Sequence, residues 1–216
     1  MMSVTSALSR EQAIARILEL TGRPEARGDQ PWLVVLAGLP GSGKSTFARR
    51  LSRSTGAIVL ESDALRVALF GRPTHEPQES RQLFDALYAA ADRLLQQGAR
   101  VIVDATNLRA RDRRQACEAA RASQAGVLLL HFRAPLQVIA ARLASRGGGA
   151  DPDDRSSAGL AVYAKLAETE EAILRDHWKI DTSDPVATDS ALQRAIETLE
   201  PRTSAAGGRD TGGSIS

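Results

Sequence analysis

Two hydrophobic periodicities alternate along this chain. Short continuous apolar runs at Trp32 to Ala37, Ala57 to Leu60, Val101 to Val103 and Gly126 to Phe132, with a shorter one at Lys179 to Asp181, are bounded by glycine, proline or charged residues and read as buried strands. Between them, apolar residues recur every three or four positions, the spacing of one helix face. Leu83, Leu87, Ala90, Leu94 and Leu95 mark a long helix that stops at Gly98. The same spacing predicts helices over about Lys44 to Ser54, Ser62 to Phe70 with Ser62 as the cap, Arg111 to Ser123, Pro135 to Ser145, Ser157 to Leu174 and Asp189 to Leu199. Ahead of these, Ser9 followed by Glu11 and Gln12, with Ala13, Ile14, Ile17, Leu18 and Leu20 on one side, predicts a capped amphipathic helix ending at Thr21-Gly22.

Strands alternating with helices imply an α/β fold whose parallel sheet is covered on both faces. Right-handed crossovers place the loops that follow the strands along one edge, where ligands bind in open sheets. The expected organisation is a helix and polar linker over residues 1–31, one domain over 32–200, and a Gly-, Ser- and Thr-rich tail over 201–216 that lacks the apolar residues to fold. Glycines 147–149 and the acidic run to Asp154 break all periodicity and predict a lid over about 142–157.

Composition narrows the classes. No apolar run approaches the roughly 18–20 residues needed to span a bilayer, the N-terminus has no leader pattern, and Cys117 is the lone cysteine, which together point to a cytoplasmic protein without a membrane partner. Net charge is only +2, yet of the 28 basic residues just Lys44, Lys165 and Lys179 are lysines, leaving 25 arginines. Planar guanidinium forks suit phosphate, although surface arginines also serve simply as solvated charge.

The strongest motif is Gly38-Leu39-Pro40-Gly41-Ser42-Gly43-Lys44-Ser45-Thr46, which fits G-x-x-x-x-G-K-[ST] directly after an apolar strand and directly before a helical pattern. Glycines let backbone amides turn inward around phosphates, the helix N-terminus adds positive potential, Lys44 neutralises the outer phosphates and Ser45 can ligate Mg²⁺.

Other strand ends carry charge. Asp63 and Arg66 stand three residues apart after the second strand: the carboxylate can take a hydroxyl proton and the guanidinium can hold an acceptor or phosphoryl group. Helix capping with an i,i+3 ion pair is the competing reading. Val101 to Val103 leads into Asp104, a carboxylate suited to positioning Mg²⁺ or its waters. Arg142 and Arg146 share a helix face just before the glycine break, where a lid can carry them onto phosphate; solvated charge is the alternative. Arg109, Arg111, Arg113 and Arg114 can receive an anionic acceptor or begin a solvated helix, and no aromatic residue interleaves with them. His75 lies in a loop near the acceptor side, while His131 and His177 read as structural. Histidine, cysteine and carboxylates nowhere show metal-site spacing, so Mg²⁺ carried by the nucleotide is the one metal expected.

In this order, the 38–46 loop, Glu61 to Arg66, Val101 to Arg114 and Arg142 to Gly147 resemble the P-loop kinase family that includes the kinase domain of bacteriophage polynucleotide kinase, gluconate kinases and zeta-type toxins. The resemblance covers about Trp32 to Leu174. It implies a three-layer α/β/α P-loop NTPase fold with five parallel strands in the order 2-3-1-4-5. It further implies Asp63 as general base with Arg66 as partner, an essential Asp104, and Arg142 and Arg146 on the ATP phosphates. By the loosest transfer, the loop with Thr182, Ser183 and Pro185 borders adenine. The glycine-rich lid departs from the phage enzyme, so phosphoryl transfer is better supported than a polynucleotide acceptor.

These readings converge on an ATP- and Mg²⁺-dependent kinase acting on a hydroxyl, with a small-molecule acceptor favoured over a nucleic-acid 5′ end. A nucleotide-dependent switch without an acceptor and a zeta-like toxin kinase remain as alternatives.

Overall fold

The computed structural model describes residues 8–22, 30–145 and 152–200. Five parallel strands form one sheet: β1 (Trp32–Ala37), β2 (Ile58–Glu61), β3 (Arg100–Asp104), β4 (Gly126–Arg133) and β5 (Trp178–Asp181), in the order β2-β3-β1-β4-β5. Register brings the C-terminal residues level, with Asp104 beside both Leu36 and Glu61, and Ala37 beside His131. Every loop after a strand therefore opens on one edge.

Strand side chains alternate between the two faces, so each face builds its own core. Leu33, Val35, Val101 and Val103 pack with α1 (Arg10–Thr21), α4 (Pro77–Gln96) and α5 (Ala110–Ala122). Val34, Leu36, Ile102 and Leu130 pack with α2 (Lys44–Thr55) and α8 (Pro185–Leu199), where Phe47 meets Phe132 edge-on at 5.1 Å. The short α3 (Ser62–Phe70) follows β2, while α6 (Leu136–Ser145) and α7 (Pro152–Ala167) pack together after β4. Among the described residues no helix is long and apolar enough to cross a membrane.

Helix α1 forms as its residues dictate. Ser9 Oγ accepts from Gln12 N while Gln12 Oε1 accepts from Ser9 N, a reciprocal capping box. Ile14 and Ile17 are wholly buried in the same core as α4, and Arg93 of α4 pairs with Glu11 at 2.6 Å.

Three boundaries differ from the periodicity. Ser62 is the first helical residue of α3, with Glu61 in the cap position and no side-chain cap bond. α8 starts at Pro185, because Asp184 accepts from the amides of Val186 and Ala187 and proline occupies the first turn. α7 begins before Ser157 and ends at Ala167, short of Leu174. Glu171 N donates to Leu108 O, Glu171 Oε2 accepts from Ala110 N, and Arg113 donates to the carbonyls of Glu171 and Ala172. Those groups are tied to α5 and the loop before it, so the helix cannot continue through them. The linker 23–29, the central residues 146–151 of the expected lid, and the tail 201–216 lie outside the described residues.

Candidate active site

Gly38 through Gly43 turn at the end of β1 and deliver Lys44 and Ser45 into the first turn of α2. Two glycines are required by space and conformation. Gly38 has φ +139°, and a Cβ there would lie 2.4 Å from Phe132 O; Gly43 has φ +91° and faces Thr182. Gly38→Ala is expected to lose about 1–3 kcal/mol of stability and to weaken nucleotide binding, as read by thermal shift with and without AMPPNP. Gly38 N donates to Thr106 O, joining the loop to the segment after β3. There Asn107, fully buried at φ +44°, donates to Leu36 O at 2.7 Å and accepts from Tyr88 Oη at 2.6 Å.

Around this loop lies a cleft lined by Pro40, Gly41, Gly43, Lys44, Ser45, Glu61, Ser62, Asp63, Asp104, Ala105 and Thr106. It gathers the lysine and hydroxyl of the phosphate loop with carboxylates from two neighbouring strand ends. Lys44 is buried and donates to Leu39 O at 2.9 Å and to Ser42 Oγ at 3.4 Å. Asp104 is only 4% exposed. Burial pushes its carboxyl above the usual range, against the hydrogen bond from Ser45 and the field of Lys44, while the charge of Asp63 adds to the rise. A buried carboxylate beside a hydroxyl gains from a hard cation, so Ser45 and Asp104 fit Mg²⁺ that takes its other ligands from phosphate and water. No cluster of three or more histidine, cysteine or acidic residues among the described residues offers a fuller metal site.

Asp63 is exposed at the start of α3 and faces this cleft. Arg66, expected to hold the acceptor or the transferred phosphoryl, is instead buried and pairs with Glu79 of α4 at 2.5 Å, with a second bond to Ser80 at 3.3 Å. Its anticipated i,i+3 partner, Asp63, is left to the cleft. Arg142 is likewise absent from the cleft lining: it donates to Gly41 O at 3.2 Å, to Thr182 Oγ1 at 2.8 Å and to Thr182 O at 2.7 Å. Thr182 Oγ1 in turn donates to Ser42 O at 2.9 Å, so Arg142 and Thr182 together brace the phosphate loop against the loop after β5. Ser183 closes a turn on Asp181, whose carboxyl is held below its usual range by the Ser183 hydroxyl and amide. Arg146 lies outside the described residues.

The arginines after Asp104 separate into different roles. Arg113 is buried and donates to four carbonyls, those of Asn107, Leu108, Glu171 and Ala172. It is a structural anchor. Arg113→Met is expected to lower the unfolding free energy in urea by about 2–3 kcal/mol, because charge-assisted bonds vanish while the carbonyls stay buried. Arg111 and Arg114 remain exposed. His131 is buried and bonds Glu170 at 2.9 Å; burial lowers its basicity, which fits a structural role. His75 N donates to Glu79, placing its backbone in the same network as Arg66.

Sequence reasoning missed Glu61 as a cleft residue and Glu79 as the partner of Arg66. Glu61 carried a signal, since it ends an apolar strand beside Asp104. Glu79 carried none, because its partner is 13 residues away on another helix.

A phosphate loop between β1 and α2, in a parallel 2-3-1-4-5 sheet with a carboxylate at the end of β3, defines a P-loop kinase-like domain. The chain belongs to the AAA_33 family (AAA domain), which it matches over residues 33–172. It is 33% identical over 169 residues to an uncharacterized protein of Mycobacterium tuberculosis; the match takes in 71% of this chain and 32% of that relative, so the chain spans about a third of the relative's length. Its fold is similar to the Mycobacterium tuberculosis APS kinase solved with AMPPNP and APS, at TM-score 0.56 and 22% identity over 79% of this chain and 98% of that one. A sugar kinase from Janibacter sp. aligns at TM-score 0.54 and 22% identity, over 79% and 95% of the two chains.

Proposed function

We propose that this domain is an ATP-dependent kinase that transfers the γ-phosphate to a hydroxyl, with a small molecule favoured over a nucleic-acid 5′ end as acceptor. The observation that carries this reading is the single cleft holding Lys44, Ser45, Asp63 and Asp104. Loop amides and Lys44 bind the phosphates, and Ser45 and Asp104 would hold Mg²⁺, which when bound neutralises charge on the phosphate oxygens. Asp63 accepts the acceptor's hydroxyl proton as its oxygen bonds to the γ-phosphorus; the bond from that phosphorus to the bridging oxygen breaks and ADP leaves. Arg66 acts as a positioning residue that fixes α3, and thereby Asp63, against α4. Arg142 and Thr182 set the phosphate loop, and Thr182, Ser183 and Pro185 border the base. Arg146 is a further candidate to meet phosphate from the lid.

The test is transfer of labelled γ-phosphate, with Mg²⁺, to a panel of 5′-hydroxyl oligonucleotides, nucleosides, sugars, sugar acids and aminoglycosides. Transfer to one class, lost in Lys44→Met, is the expected result. Tight ATP binding with only slow hydrolysis that no acceptor stimulates would replace the kinase by a nucleotide-dependent switch. Growth arrest on expression, relieved by the same variant, would mark a toxin kinase.

A further inference from the structure

Helices α4 and α5 both run away from the strand-end edge, and their first three turns frame an open groove of about 330 Å³ outside the phosphate cleft. Arg81, Phe84 and Asp85 line it from α4; Arg111, Asp112, Arg114, Gln115 and Glu118 line it from α5. Three of its six charges have partners, since Asp112 takes Arg111 at 3.1 Å and Asp85 takes Gln115 at 2.9 Å; the exposed Glu118 has no hydrogen bond or ion pair among the described residues. Arg81 and Arg114 are the cations left without one. Both are exposed, and neither has an ion pair or hydrogen bond within the described structure. Glu118 lies one turn deeper along α5 than Arg114, so the cationic end of the groove faces the edge where the cleft opens.

Phe84 is half-buried in this wall and stacks on Tyr88 at 6.0 Å, and Tyr88 bonds Asn107, two residues beyond the cleft residue Ala105. The aromatic surface missing from the arginine-rich segment in sequence is thus supplied by the neighbouring helix. On its other side, α4 is tied to the Asp63 helix through the pair of Arg66 and Glu79. The groove is therefore flanked by two of the three segments that line the cleft, those after β2 and β3.

We propose that this groove is an acceptor subsite, in which Arg81 and Arg114 hold an anionic group of the acceptor, phosphate or carboxylate, and Phe84 receives its apolar or ring portion. This rests on the kinase reading and narrows it to hydroxyl compounds that already carry a negative charge. Two guanidinium forks on one anion bind it far more strongly than they bind a neutral polyol.

The test uses ribose 5-phosphate, gluconate and ribose as probes, titrated calorimetrically into the full chain with AMPPNP and Mg²⁺ saturating the nucleotide cleft. At least one anionic probe is expected to bind and ribose to show no heat. In the double variant Arg81→Gln/Arg114→Gln that binding should weaken about tenfold or more, with AMPPNP affinity unchanged as the check on folding. Phosphate preference over gluconate, or the reverse, identifies which anion the acceptor carries. Absence of binding by both anions, or equal affinity in the double variant, overturns the subsite. ADP formation with the wider acceptor panel is read separately. If no acceptor stimulates it, the kinase reading falls while the binding difference stands; if transfer continues but binding is unchanged in the variant, only the groove falls.

Discussion

Asp63→Asn should reduce phosphoryl transfer by about 100- to 10,000-fold while leaving AMPPNP binding intact, because the amide keeps the shape of the carboxylate but cannot accept the hydroxyl proton. Asp63 is exposed at the cleft and lies outside both hydrophobic cores, so the loss should appear in single-turnover rates and not in thermal stability. The negative charge of Asp63 contributes to holding the Asp104 carboxyl above its usual range, so neutralising Asp63 should make Asp104 ionise more readily. Mg²⁺ dependence of nucleotide binding, measured by calorimetry, should be unchanged or slightly tighter in the variant. Normal turnover by Asp63→Asn would remove Asp63 as the base; loss of AMPPNP binding would assign it to the nucleotide site instead.

Glu79→Ala is expected to lower the free energy of unfolding by about 3–5 kcal/mol, the cost of leaving a buried guanidinium without its counter-charge. Arg66 and Glu79 side chains are 8% and 9% exposed, so solvent cannot replace the lost partner. The carboxylate also accepts from the amides of Thr74 and His75 and from the Thr74 hydroxyl, all of which lose their acceptor. Replacing both members, as in Arg66→Met/Glu79→Leu, should restore part of the stability, because the penalty arises from the unpaired charge. Urea denaturation of the two variants separates these outcomes; equal loss in both would show that the hydrogen bonds to the loop, and not the charge, dominate.

The same carboxylate makes stability depend on acid. Burial alone would raise the Glu79 carboxyl, but bonds from Thr74, Arg66 and His75 outweigh it and bring it from the ordinary 4.5 down to about 2. A group whose folded pKa lies below its unfolded value stabilises fully above the unfolded pKa and loses that contribution as pH falls through the folded one. Wild-type stability should therefore decline between about pH 5 and pH 2 more steeply than that of Glu79→Ala, as followed by thermal melts across that range.

Much of the fold was legible because its determinants are local. The two periodicities announced the alternation of strands and helices, glycine punctuated their ends, and the loop at 38–46 declared its chemistry through residues adjacent in sequence. Asp104 was legible for the same reason: it ends an apolar strand, and register then sets it beside Leu36 and Glu61.

What only the tertiary structure decided are the partners of charged side chains. Arg66, Arg113 and Arg142 look alike in sequence, as exposed helix arginines near an active edge. The fold buries Arg113 against four carbonyls, gives Arg66 to Glu79, and ties Arg142 to Gly41 and Thr182, while it leaves Arg81 and Arg114 facing a groove beside Phe84. The end of α7 at Ala167 belongs to the same class, since the groups that stop it sit on α5 and the loop before it. Hydrophobic burial follows a local pattern that sequence displays, whereas a charge chooses its partner by distance in space, and distances between elements far apart in the chain exist only once the sheet has brought them together.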